Sequence, residues 1–257
     1  MFDRILVVYN EKQSEIHLNT VKRVKDILKN KLKAAIIVEN LDKSYFKDID
    51  LVITIGGDGT FTRTANYLNQ EYILGINSEP EFSEGALLSI NENELTFLEE
   101  VLKGEFKTIS RQRAKTILNG QELKELALNE VYVGAASQFH SSRYIIKYKE
   151  SQEEQRSSGV IISTGSGSHA WYKSAGGVPF AYDSKELRFI VREPYFGKKV
   201  FKPKILHGHI EEKEYLEFES KRTFGGIISI DMKSYEFNND DCVRIELSDK
   251  PLQVIVK

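Results

Sequence analysis

The β-branched run Leu51-Val52-Ile53-Thr54-Ile55 empties directly into Gly56-Gly57-Asp58-Gly59-Thr60, and this junction constrains the fold more than any other segment. A mostly apolar run rich in β-branched residues suits a strand buried on both faces, the condition of a parallel sheet covered by helices. Three glycines in four residues then break the strand, and the pattern turns helical over about residues 60–68. Ligands of open α/β sheets bind where strands end and helices begin, so the junction is a candidate site as well as a turn.

The residues around it repeat the alternation. Ile5 to Tyr9 reads as a strand, and a helix follows that Ser14 can cap, with Ile16, Val21, Val24, Ile27 and Leu28 on its apolar face. Strands are predicted at 34–38 and 73–76 and a further helix at 92–102. This predicts a doubly wound, mostly parallel α/β domain over about residues 1–100. After Gly104 the apolar period shifts to two, with short strands recurring to the end of the chain. Residues 101–257 are therefore expected to form a β-rich, antiparallel domain, with the active site in the cleft between the domains. A length of 257 residues agrees, being at the limit for one core.

Composition narrows the partners. Thirty-six Lys and Arg oppose 38 Asp and Glu, a net charge of −2 with the signs interspersed, which argues against a nucleic-acid surface. Cys242 is alone, which excludes an intramolecular disulfide and a Cys-based zinc site and fits a reducing, cytoplasmic location. The apolar stretch ending at Tyr9 is too short for a signal-peptide core, and no run is long enough to span a bilayer. A small-molecule ligand is the partner class left open.

Three segments carry candidate chemistry. In the glycine loop, Gly56, Gly57, Gly59 and Thr60 let a phosphate approach the main chain at a helix N-terminus. A carboxylate there repels phosphate, so Asp58 suits a proton-accepting role or the organisation of Mg²⁺. The loop has neither the Lys-Ser/Thr ending of a Walker motif nor dinucleotide-fingerprint spacing, and a plain turn with Asp58 as cap also fits. The second segment is Asn129-Glu130, a polar pair in an apolar strand: Asn suits an adenine edge and Glu a ribose hydroxyl, while a solvated strand end fits equally. The third runs from Ser158 through a buried strand into Gly165-Ser166-Gly167-Ser168-His169-Ala170-Trp171-Tyr172-Lys173-Ser174, a hydroxyl-rich loop suited to pyrophosphate or ribose. His169 can meet a phosphate or make a structural hydrogen bond, and Trp171 and Tyr172 can stack on a ligand or pack. His207 and His209 have no carboxylate or cysteine at ligand spacing, so no direct protein ligand to a metal is expected.

In identity, order and spacing these three blocks resemble the NAD kinase family, nearly from end to end of the chain. The Gly-Gly-Asp-Gly-Thr loop alone is shared with lipid kinases of the diacylglycerol and sphingosine type; the later blocks select the nucleotide branch. The resemblance implies transfer of the terminal phosphoryl of ATP, or of polyphosphate, to the 2′-hydroxyl of the adenosine ribose of NAD, with a divalent cation such as Mg²⁺. It implies Asp58 as general base, and Gly57, Asp58, Gly59, Asn129, Glu130, Ser166, His169, Ala170 and Ser174 as the NAD-binding set. It also implies a homodimer or homotetramer. Ser158, Gly165, His169 and Trp171 depart from the usual bacterial pattern, which has Asp, Pro, Thr and Tyr there. The segment Gly75 to Gly85 looks more like the divergent branch that includes mitochondrial NAD kinases. A lipid or other small-alcohol kinase and a catalytically idle NAD(P)-binding protein are the alternatives.

Overall fold

The apolar runs of the first hundred residues pair with one another as parallel strands. The computed structural model describes residues 2–12, 14–137 and 139–257. Its first sheet has the order Leu32–Ile37, Ile5–Tyr9, Leu51–Gly56, Tyr72–Asn77, Leu252–Val256, Lys107–Arg111, with Ile90–Asn91 branching from Tyr72–Asn77. The pairings along the first five of these are parallel. The third strand is buried throughout its length, as its sequence, apolar but for Thr54, demands. The second strand lies on one side of the first and the third on the other. That reversal of order opens a crevice at the carboxyl ends of Ile5–Tyr9 and Leu51–Gly56.

Helix Glu15–Leu28 begins as predicted, with Ser14 Oγ accepting from His17 N at 3.3 Å. Its buried stripe is His17, Thr20, Val21, Val24 and Leu28. Ile16, which the apolar spacing assigns to that face, is half exposed; it lies about 100° round the helix from His17, which takes the inward place. The helix after the glycine loop is Asp58–Ala65, earlier at both ends than the predicted 60–68. The last predicted helix shortens from 92–102 to Phe97–Lys103. Asn93 N donates to Asn91 Oδ1 at 2.9 Å and Asn91 N to Glu94 Oε2 at 3.1 Å, which holds the preceding residues in turns.

The chain divides into two units, one ending at Ser110 and regaining Pro251–Lys257, the other Arg111–Lys250. Lys107–Arg111 and Leu252–Val256 belong to the first sheet, although their alternating pattern reads like that of the β-rich part. Alternation shows that a strand is half-buried, not which sheet it joins. Within Arg111–Lys250 there are two antiparallel sheets of six strands. One has the order Ser151–Ser157, Ser142–Tyr148, Tyr215–Ser220, Cys242–Leu247, Ala114–Leu118, Gln121–Glu122. The other runs His207–Glu211, Glu186–Arg192, Gly159–Ser163, Glu130–Ala135, Gly226–Ile230, Lys233–Glu236. Ile146, Phe218 and Val243 of one meet Val131, Ile162 and Phe189 of the other in a single apolar core. An α/β unit with a parallel sheet and an antiparallel β-rich unit are thus both present. No helix among the described residues is long and apolar enough to cross a membrane.

Candidate active site

The glycine loop stands at the reversal of strand order. Gly56 ends its strand at φ +151°, and a Cβ on it would press against Thr60 Oγ1 and the side chain of Asn10, the residue that follows the first strand. Thr60 is buried with its hydroxyl against Gly56. The accessible part of the loop is therefore Gly57-Asp58-Gly59, and a Cβ at Gly59 would touch nothing within 4 Å.

Asp58 is the first residue of its helix and not its cap, a place taken by Gly57. Its carboxylate points to the segment after the fourth strand: Oδ1 accepts from Leu87 N at 2.8 Å and Oδ2 from Ala86 N at 3.1 Å. Those amides are fixed in turn. Asn77 Nδ2 donates to Ser83 O at 2.8 Å, and Gly85, at φ +62°, lies so close over the Asn77 carboxamide that a side chain would not fit. The unusual run from Gly75 to Gly85 is thus the support of the Asp58 carboxylate.

His17 ties the same end of the sheet together. Its Nε2 lies 2.9 Å from Asn10 O and its Nδ1 2.8 Å from Ser78 Oγ, and burial pulls its pKa below the ordinary value. Beside it Lys12 pairs with Glu79, holding that carboxyl below the usual range. The apolar periodicity shows only a gap at His17. Asn10, His17, Ser78 and the amides of Ala86 and Leu87 become visible only when the strands are adjacent.

In the second unit the polar pair and the hydroxyl loop form one assembly. The strand starts at Glu130, so Asn129 sits just before it. Thr164 Oγ1 donates to Leu128 O at 2.5 Å, and Thr164 N to Asn129 O at 3.0 Å. A Cβ on Gly167 would overlap the Asn129 carbonyl, and one on Gly165 the Ala181 carbonyl. That contact supplies a physical reason for glycine at 165. Ser168 Oγ donates to Gly165 O at 2.7 Å and accepts from Phe180 N at 3.0 Å, which closes the loop.

Of the predicted loop residues, Ser166 is buried and its hydroxyl accepts from Arg111 Nη1 at 3.2 Å. His169, Ala170 and Ser174 are exposed. The His169 ring stacks on Tyr182 at 4.9 Å, and Tyr182 carries the Arg111 guanidinium 4.6 Å from its centre. Tyr172 is buried and packs, whereas Trp171 lines a cavity of about 630 Å³ with Tyr132, Ser158, Arg192 and Glu193. Trp171 leans on Tyr132 at 5.2 Å, and Arg192 lies 5.2 Å from its ring. Two positions that depart from the bacterial pattern, 158 and 171, thereby share one cavity. Burial, with the nearby Asp231 charge, pushes the Glu130 carboxyl up to about 7.

The described residues contain no group of three or more His, Cys, Asp or Glu able to hold a metal ion. Asp58 stands beside open space at Gly59 and outside any such group. That arrangement fits a magnesium ion brought and held by nucleotide phosphates, not one caged by the protein.

Comparisons with known proteins bear on the family and the fold. A family model described as the ATP-NAD kinase N-terminal domain matches residues 2–79. A probable NADH kinase of Oryza sativa subsp. japonica is 31% identical over 232 residues, covering 81% of this chain and 71% of the relative. An NAD kinase of Methanosarcina acetivorans is 30% identical over 213 residues, covering 81% of this chain and 74% of the relative. Among solved structures, an NAD kinase from Archaeoglobus fulgidus in complex with ATP superposes with a TM-score of 0.76 at 21% identity, over 98% of this chain and 92% of that one. Yeast NADH kinase complexed with NADH gives 0.82 at 13% identity, over 100% and 84%. The fold is that of the NAD and NADH kinases. By the sequence relationship, the chain belongs to the NAD kinase family.

Proposed function

We propose that the protein transfers the terminal phosphoryl of ATP to the 2′-hydroxyl of the adenosine ribose of NAD or NADH. The observation that carries this reading is the joining of Asn129-Glu130 to the hydroxyl loop through Thr164 and Gly167. A lipid kinase shares the glycine loop, but its acceptor carries no adenosine for such an assembly to hold. Relatives named NAD kinase and NADH kinase both stand near the chain, which supports this acceptor class.

On this reading the Asn129 carboxamide meets the adenine edge, Glu130 meets ribose hydroxyls, and Ser166, His169, Ala170 and Ser174 line the dinucleotide. Gly57 and Gly59 admit the donor phosphates to the main chain, with Gly56 and Thr60 shaping the loop behind them. Asp58 takes the 2′-hydroxyl proton as the oxygen bonds to the γ-phosphorus and the bond to the β-phosphate oxygen breaks. Its two amide hydrogen bonds aim the carboxylate and leave lone pairs for that proton. Magnesium bound to the donor phosphates would supply charge neutralisation. Alignment carries most of the remaining rate, since phosphoryl transfer asks little covalent help of the protein.

The lone Cys242 supports a cytoplasmic assignment. Exposed Phe139, Tyr195 and Phe196 support assembly into a homo-oligomer. The test is an assay with ATP, Mg²⁺ and a panel of NAD, NADH, a lipid diol and a sphingoid base. NADP or NADPH formation is expected; phosphorylation of the lipids alone overturns the proposal.

A further inference from the structure

Residues 128–130 are gripped along both edges of the backbone. Thr164 and Gly167 meet the carbonyl side. On the amide side the Asp231 carboxylate takes three consecutive N–H groups: Leu128 N donates to Oδ2 at 2.8 Å, and Asn129 N and Glu130 N donate to Oδ1 at 2.9 and 3.1 Å. Asp231 N returns a hydrogen bond to Glu130 O at 3.1 Å. More than a hundred residues separate the partners in sequence, so the contact exists only because Gly226–Ile230 pairs with Glu130–Ala135.

Asp231 turns the hairpin between Gly226–Ile230 and Lys233–Glu236 at φ +48°, a left-handed conformation that Asp tolerates better than most residues with a β-carbon. Its partners are three amides, an arrangement that recognises a carboxylate as a backbone nest recognises an anion. A tight hairpin turn is served equally by Asn, Asp or Gly, so the turn alone does not select a carboxylate. A carboxylate at this corner does more: it stops the peptide planes of 128–130 from rotating, and with them the directions in which Asn129 and Glu130 leave the chain.

We propose that Asp231 is a positioning residue for the phosphoryl acceptor, fixing the Asn129 and Glu130 side chains through their own amides. The inference rests on the proposed role of that pair in holding NAD(H).

The test uses the full chain, with NADH binding followed by fluorescence in the absence of ATP and steady-state kinetics in its presence. Asp231→Asn keeps the turn but sets a donor against an amide. The expected result is a rise of about tenfold or more in NADH Kd and acceptor KM, with the KM for ATP within about twofold of wild type. Lys233→Ala, on the exposed arm of the same hairpin, changes neither. Unchanged NADH affinity in Asp231→Asn, or equal shifts in both KM values, overturns the proposal.

A second measurement needs no variant at 231. Burial pushes the Asp231 carboxyl up to about 6 against the pull of its three amides, and Glu130 is its charged neighbour. In Glu130→Gln, which removes that neighbour's titration, NADH affinity should still fall as pH drops below about 6, because a protonated Asp231 loses an acceptor for the amides. A flat profile there overturns the positioning role even if Asp231→Asn does not fold. Asn129→Ala separates the two claims. If it binds NADH as tightly as wild type, the acceptor role of the pair fails; if it loses binding while Asp231→Asn does not, only the role of Asp231 fails.

Discussion

Two glycines, one in each unit, do opposite work. Gly59 lies in the first turn of a helix with open space where its side chain would be, so the protein's own packing gives no reason for glycine. Gly167 lies on the Asn129 carbonyl with no room at all, so packing gives the whole reason. The first site is a local device, a strand, a turn and a helix in sequence, that leaves space for something absent from the chain. The second is assembled from segments far apart in sequence, residues 128–130, residues 164–167 and Asp231, and its glycine serves the assembly.

The largest effect should fall on the local device. Asp58→Asn leaves the amides of Ala86 and Leu87 with one good acceptor and removes the proton acceptor. Turnover should fall by about 10²–10⁴-fold, the usual worth of a general base, with NADH affinity nearly unchanged. Turnover equal to wild type would falsify the assignment of Asp58 as base and reduce the loop to a turn.

Gly167→Ala should break the assembled site. The methyl group must displace the Asn129 carbonyl or bend the hydroxyl loop, an overpacking that costs about 1–3 kcal/mol. Thermal melting should show that loss, and NADH binding should weaken more than ATP binding. Loss of ATP and NADH binding in equal proportion would mean that the assembly supports the whole fold and not the acceptor.

The same division explains what the sequence could disclose. The glycine loop, its buried strand and the Ser14 cap are local patterns, written in neighbouring residues and recoverable from period and spacing. Asn129 and Glu130 break an apolar strand, and Thr164 and Asp231 stand in segments that the sequence marks, but which of them meet is set by strand pairing and not by neighbouring residues. His17 was hidden in a helix stripe that names Ile16 instead. The first sheet's two outlying strands, Lys107–Arg111 and Leu252–Val256, escaped for a similar reason. Their alternation is genuine, but which sheet they join is a matter of topology.

Glu130 sharpens the comparison through pH. Its folded value, about 7, lies above the ordinary 4.5, so the folded state binds the proton more tightly than the unfolded chain. Stability must then rise as pH falls from about 7 towards 4.5, and Asp231, raised from 3.8 to about 6, adds in the same direction at lower pH. Glu130→Gln lacks the first contribution. Its melting temperature should exceed that of wild type at pH 8 by a margin equivalent to about 1–3 kcal/mol and converge with it near pH 5. A constant difference across that range would show that Glu130 is ionised throughout.

The smallest effect is the most discriminating, because it reverses sign between stability and binding. At Gly59 the backbone φ is not positive and a methyl group meets nothing, so Gly59→Ala should strengthen the helix Asp58–Ala65 by about 0.5–1 kcal/mol. If the space is kept for donor phosphates, the same methyl group stands where they approach the main chain, and the KM for ATP should rise although the protein melts higher. NADH affinity should not change. A variant that is more stable and has an unaltered KM for ATP would mean that donor phosphates do not pass over Gly59, and the donor site would have to be sought nearer Gly57 and the amides of Ala86 and Leu87.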